Sequence, residues 1–149
     1  MPADKKLQET LIEYFGKRYL DRVELPQYLY TSLSRKLRPY QDECFRYFTT
    51  FISESYDGKP RQPHLLFHMA TGSGKTLVMA GAMLYLYEQG YRNFLFFVDS
   101  TNIVEKTRDN FLNSVSNKYL FAQKIEINGK QIEINEVQNF QAANPDCIN

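Results

Sequence analysis

A chain of 149 residues with 43% hydrophobic and 15% aromatic side chains can bury roughly 70% of the surface it would expose unfolded, which excludes a disordered chain. Its formal net charge of +1 gives no global pull toward nucleic acid or a membrane, so any such site must be local. The two cysteines, Cys44 and Cys147, lie far apart and outside any CxxC pattern, which argues against a disulfide framework and for a reducing, cytoplasmic home.

The start, Met1-Pro2-Ala3-Asp4-Lys5-Lys6, runs into an amphipathic stretch and not into an apolar leader. Residues 5–20 carry Leu7, Leu11, Phe15 and Tyr19 at steps of four, with Ile12 beside them. That is one apolar stripe on a helix. Lys5, Lys6, Lys17, Arg18 and Arg22 make this arm basic and read first as a solvated face, with a DNA-contacting or subunit-docking arm as the alternative. Residues 21–38 mix Pro26 with tyrosines and basic groups and read as a linker or irregular arm. Pro39 stands where a first helical turn tolerates it. A helix is expected from there to about Tyr56, with Cys44, Phe45, Phe48 and Phe51 inward. Tyr28, Tyr30 and Tyr40 have rings that can stack on bases, although core or interface packing explains them better. Residues 57–63 form a loop.

His64-Leu65-Leu66-Phe67-His68-Met69 is a short apolar run that reads as a buried strand. On a strand His64 and His68 stand about 13 Å apart, too far to share a metal. Lys75 to Gln89 reads as a helix closed by Gly90. Its stretch Leu77 to Tyr87 is the longest apolar run, and a membrane span needs about 20 residues. Asn93-Phe94-Leu95-Phe96-Phe97-Val98 reads as a second buried strand. Asp99-Ser100-Thr101-Asn102 caps a helix extending to about Leu112. Strand, helix, strand, helix predicts an α/β fold with a parallel sheet. Lys124-Ile125-Glu126-Ile127 and Gln131-Ile132-Glu133-Ile134 then alternate around Asn128-Gly129, the signature of a β-hairpin with a type I′ turn. The tail, Gln138 to Asn149, reads as polar and without a closing element. With so few strands, an unpaired sheet edge favouring dimers or aggregation is expected.

The segment Met69-Ala70-Thr71-Gly72-Ser73-Gly74-Lys75-Thr76 follows one strand and opens one helix, the context a P-loop needs. Gly72 and Gly74 let the backbone turn tightly and aim successive N–H groups at one point. The helix start adds its positive end. Lys75 supplies a fixed cation between β- and γ-phosphates, and the Thr76 hydroxyl a ligand for Mg²⁺. Thr71 and Ser73 complete the cradle for ATP. The usual pattern opens with Gly where this chain has Met69, which weakens a small-kinase or GTPase reading. Upstream stands Leu37-Arg38-Pro39-Tyr40-Gln41. The Gln41 amide can both donate to and accept from an adenine edge.

LRPYQ, then MATGSGKT, then FLFFVDSTNIVEKTRDNF, resembles the start of superfamily 2 (DEAD/DEAH-like) helicases. More narrowly it resembles the restriction (Res) subunit of type III restriction enzymes. The likeness covers residues 37–113 well and the first thirty-six loosely. It implies a helical arm over 1–36 and an incomplete first RecA-like motor domain over 37–149, with a partial parallel sheet, flanking helices and the late hairpin. It implies that Gln41 reads adenine, that Arg38 and Tyr40 frame the base or ribose, and that residues 71–76 hold phosphate and Mg²⁺. Ser100, Thr101 and Asn102 would touch a nucleic-acid backbone. The implied activity is ATP-driven movement along duplex DNA, with a modification methyltransferase subunit as partner.

Hydrolysis of this kind also needs an adjacent acidic pair on a later strand. After Lys75 no two acids are adjacent, and Asp42-Glu43 precedes the loop on a helix. The resemblance therefore implies a chain truncated before its acidic motif and inactive alone. Two rivals stand beside this reading. One is a compact P-loop kinase or NTPase that uses Asp99, at the end of an apolar strand, to hold Mg²⁺. The other is a docking module whose P-loop is vestigial.

Overall fold

The computed structural model describes residues 5–149, apart from the side chain of Phe140. The absence of an apolar leader, read from Met1 to Asp4, lies outside the described residues. In chain order the elements are the helices α1 (Leu7–Phe15), α2 (Lys17–Leu20), α3 (Tyr28–Thr31), α4 (Pro39–Ser53), α5 (Lys75–Glu88) and α6 (Thr101–Leu112), the strands β1 (Ile125–Ile127) and β2 (Lys130–Ile132), and a 3-10 turn at Phe140–Ala142. They divide into two units. One takes the chain up to Leu25 with Leu37–Ser73; the other takes Pro26–Lys36 with Gly74–Asn149. Among the described residues no helix is long and apolar enough to cross a membrane.

The first unit is helical. The stripe predicted over residues 5–20 is interrupted at Gly16, where α1 ends and α2 begins. Leu11 is fully buried and forms a core with Leu20, Tyr47 and Phe51, against which Leu7, Ile12, Phe15 and Leu65 pack. Tyr19, beyond the break, is left exposed and stacks on Phe15 with ring centroids 5.6 Å apart. In α4, Phe45, Phe48 and Phe51 point inward as their spacing predicts. Lys59 closes this helix from the following loop. Its ammonium donates to the carbonyls of Ile52 (3.0 Å) and Glu54 (2.7 Å), groups that a helix end leaves without partners. Lys17, one cation of the basic arm, is committed to Asp21 and Glu43, each at 2.7 Å.

In the second unit α5 is apolar around its whole circumference, which is how a fully packed helix reads. Leu77, Val78, Ala80, Leu84 and Tyr85 are all buried. The hairpin forms where Asn128-Gly129 predicts it. Ile125 pairs with Ile132 and Ile127 with Lys130, and both turn residues have positive φ, 52° and 77°. Residues 26–36, read as part of a linker, are instead built into this unit. Leu33 bridges Phe121, and Ser32 makes hydrogen bonds to both the N–H and the carbonyl of Glu126 through its hydroxyl. Glu88, at the last position of α5, is the tie. It accepts hydrogen bonds from the Tyr28 hydroxyl (2.7 Å) and the Asn128 amide (3.0 Å). Burial first, and then this carboxylate, push the Tyr28 phenol well above its ordinary pKa. Tyr28→Phe removes one largely buried hydrogen bond, a net loss of about 1 kcal/mol, and is expected to lower the melting midpoint by about 2–4 °C. An unchanged thermal melt would show that the hydroxyl contributes nothing.

Two sequence readings need correction. No parallel sheet forms among the described residues; the only sheet is the two-stranded antiparallel hairpin. The segments 64–69 and 93–98 form no strands; Leu66 (92%), Phe97 (83%) and Leu95 are exposed, while Leu65 and Phe67 are half-buried in the first unit. A strand is buried by its neighbours, and residues 95–98 take part in no backbone ladder among the described residues. Second, the tail does close. Ile148 is fully buried and forms a parallel bridge to Ile134. Asn149 donates to the Arg92 carbonyl (2.8 Å) and accepts from the Phe94 N–H (2.7 Å), the bond pattern of parallel pairing. Arg92 lies over the Tyr87 ring at 4.0 Å and donates to the Pro145 carbonyl at 2.9 Å, which holds the tail down.

Candidate functional site

Residues 69–73 belong to the first unit and Gly74 onward to the second. In the first part Ser73 folds back on Ala70. Both its N–H (3.2 Å) and its hydroxyl (2.6 Å) donate to the Ala70 carbonyl. Gly72 has φ 77° and Gly74 φ 84°, values that cost an L side chain roughly 1–2 kcal/mol. A Cβ placed on Gly72 would meet no atom within 4 Å. Glycine is therefore demanded there by the backbone and not by crowding, and the space beside it is open.

In the second part Gly74 is the N-cap of α5. Its carbonyl accepts from the N–H groups of Leu77 (3.0 Å) and Val78 (3.1 Å). It offers no side-chain cap, so the helix start is left to attract an anion from outside. Lys75 occupies the first helical position and is exposed; Thr76 follows, half-buried. Within the second unit, a left-handed glycine at a helix start without a side-chain cap, an exposed cation and a hydroxyl make a donor set that suits phosphate and Mg²⁺.

Arg38, Tyr40 and Gln41 come together around Ser73 in the first unit. The Tyr40 hydroxyl donates to the Ser73 carbonyl at 2.7 Å, and the Gln41 amide donates to the same oxygen at 2.9 Å. The Arg38 guanidinium donates to the Tyr40 hydroxyl at 3.2 Å. The Arg38 N–H donates to the Gln41 side-chain oxygen at 3.0 Å, one half of a capping box at the start of α4. Gln41 is 2% exposed and Tyr40 42% exposed. Sequence reading linked these residues to a nucleotide but missed their grip on Ser73. That contact joins positions 32 and 33 residues apart, and no local pattern announces it.

Beside Tyr40 runs an apolar groove of about 530 Å³, walled by Cys44, Phe48, Leu65, Phe67 and Ser73. Burial, with the Glu43 charge second, pushes the Cys44 thiol up to about 11. It stays neutral and acts as a small apolar wall.

The second group of candidates opens α6. Ser100 is the N-cap by position, but its side chain makes no capping bond; its carbonyl accepts from Ile103 (3.1 Å) and Val104 (3.2 Å). Thr101 and Asn102 are exposed, as is Asp99 before them. His64 and His68 are exposed too. Among the described residues no group of three or more His, Cys, Asp or Glu side chains could hold a metal ion.

The model of one protein family, described as type III restriction enzyme, res subunit, matches residues 34–145. The chain is also 40% identical over 125 residues to the probable type III restriction-modification enzyme HindVIP Res subunit of Haemophilus influenzae. That match takes in 80% of this chain and 24% of the relative, so the chain spans about a quarter of that protein's length. No solved structure matches it.

Proposed function

The chain belongs to the family of type III restriction enzyme Res subunits, and on that premise we propose that it binds ATP with Mg²⁺ through residues 71–76. We read it as the opening part of a superfamily 2 motor that moves along duplex DNA. Membership implies a RecA-like fold. Within that fold we read residues 37–149 as part of the first motor domain and the chain before them as an arm, of which residues 26–36 pack with the residues after Gly74.

The observation that carries the reading is the pair of left-handed glycines leading into a helix without a side-chain cap. Backbone N–H groups from Gly72 onward face the phosphates, Lys75 offsets their charge, and the Thr76 hydroxyl holds the metal. Bound Mg²⁺ would draw charge from the phosphate oxygens. We assign adenine recognition to Gln41, whose side chain is buried in this structure with its amide engaged by Ser73 and Arg38, while Arg38 and Tyr40 frame the base or ribose. The adjoining groove has the volume of a small-molecule site, roughly 300–1,000 Å³. Ser100, Thr101 and Asn102 contact the nucleic-acid backbone. The family context suggests a cytoplasmic protein that works with a modification methyltransferase subunit.

Calorimetric titration of the chain with Mg·ATP and Mg·ADP tests this. Saturable binding of one nucleotide is expected. Phosphate release should stay negligible with or without duplex DNA, because no adjacent acidic pair follows Lys75. Failure to take up either nucleotide at millimolar concentration would overturn the reading.

A further inference from the structure

The geometry points to a second role for Tyr40: its hydroxyl is a positioning group that, with the Gln41 amide, sets the direction of the Ser73–Gly74 peptide for phosphate binding. The inference rests on residues 71–76 being a phosphate site, as proposed above. A carbonyl oxygen has two lone pairs. That of Ser73 meets two donors, at 2.7 and 2.9 Å, both ordinary hydrogen-bond lengths. The chain contains no cis peptide bond among its described residues. In a trans peptide the carbonyl and the following N–H point opposite ways. Holding the Ser73 oxygen toward Tyr40 and Gln41 therefore fixes the Gly74 N–H in the opposite direction.

This peptide needs holding. It turns by rotation about the bonds on either side of it, and one of these belongs to Gly74, where no Cβ resists the motion. Neighbouring bonds brace the two donors. Arg38 serves both, giving its guanidinium to the Tyr40 hydroxyl and its N–H to the Gln41 oxygen. Asking Tyr40 only to frame a base would leave its hydroxyl without a task, yet that hydroxyl makes the shorter of the two bonds to Ser73.

Tyr40→Phe separates the roles, because it deletes the hydroxyl and keeps the ring. The probes are inorganic pyrophosphate, which has no base, and ADP, both with Mg²⁺. Binding to the full chain is measured well below the melting midpoint, so that lost affinity reports the site and not the fold. The variant is expected to bind both probes about three- to tenfold more weakly, the equivalent of one hydrogen bond. Unchanged pyrophosphate affinity would overturn the inference, whether ADP binding falls or not, because the hydroxyl would then act on the base alone or on nothing. If the unaltered chain binds neither probe, the phosphate-site reading itself falls and takes this inference with it.

Discussion

Replacing Lys75 with alanine is expected to weaken Mg·ATP binding by about ten- to a hundredfold and to leave the melting midpoint in place. A hydrogen bond to a charged group contributes about 1.5–3 kcal/mol, and each 1.4 kcal/mol is tenfold in affinity. The side chain is exposed at the first position of α5. Alanine is the stronger helix former there, and an exposed polar or charged contact contributes little to folding. On the proposed reading the effect should exceed that of Tyr40→Phe, because the lysine would meet the phosphates directly while the tyrosine would act through a peptide. The measurement is a calorimetric titration of both proteins, paired with thermal melts. Equal affinity in the two would mean that nucleotide, if bound, does not place its phosphates at this loop. It would also favour the docking-module rival.

What was legible in the sequence has a common character: the deciding chemistry is local. Asn128-Gly129 specifies its turn because both residues tolerate positive φ, and the strands beside it follow. The start of α5 is readable for the same reason, since Gly72 and Gly74 are needed by their own backbone angles. Pro39 and the phenylalanines of α4 likewise announce a helix and its inner face. The unread parts all depend on distant partners. His64–Met69 and Asn93–Val98 carry side chains suited to a buried strand, but burial needs neighbouring strands, which a run of apolar letters does not contain. Residues 26–36 look like a linker because Ser32 and Leu33 find their partners near residues 121–126, far along the chain. The Tyr40–Ser73 bond is invisible for the same reason.

The tail is the largest of these misreadings, and Ile148→Ala tests it. Polar neighbours disguise Ile148, yet it is 0% exposed. Its N–H donates to the Glu133 carbonyl at 2.9 Å and its carbonyl accepts from Asn135 at 2.8 Å. Cutting a fully buried isoleucine to alanine costs about 2–5 kcal/mol, a large part of the roughly 5–15 kcal/mol that holds a domain together. The melting midpoint should fall by roughly 5–15 °C. Val115→Ala is the control: that side chain is 92% exposed, and the change should stay within about 0.5 kcal/mol. Hydrogen exchange locates the loss. The Asn135 N–H bonds to Ile148 and the Phe94 N–H bonds to Asn149, so both should lose protection before the α5 amides do. A tail that only lay on the surface would let Ile148→Ala melt like Val115→Ala and leave both amides unchanged. That result would remove the parallel contacts at Ile134 and Asn93 from the fold.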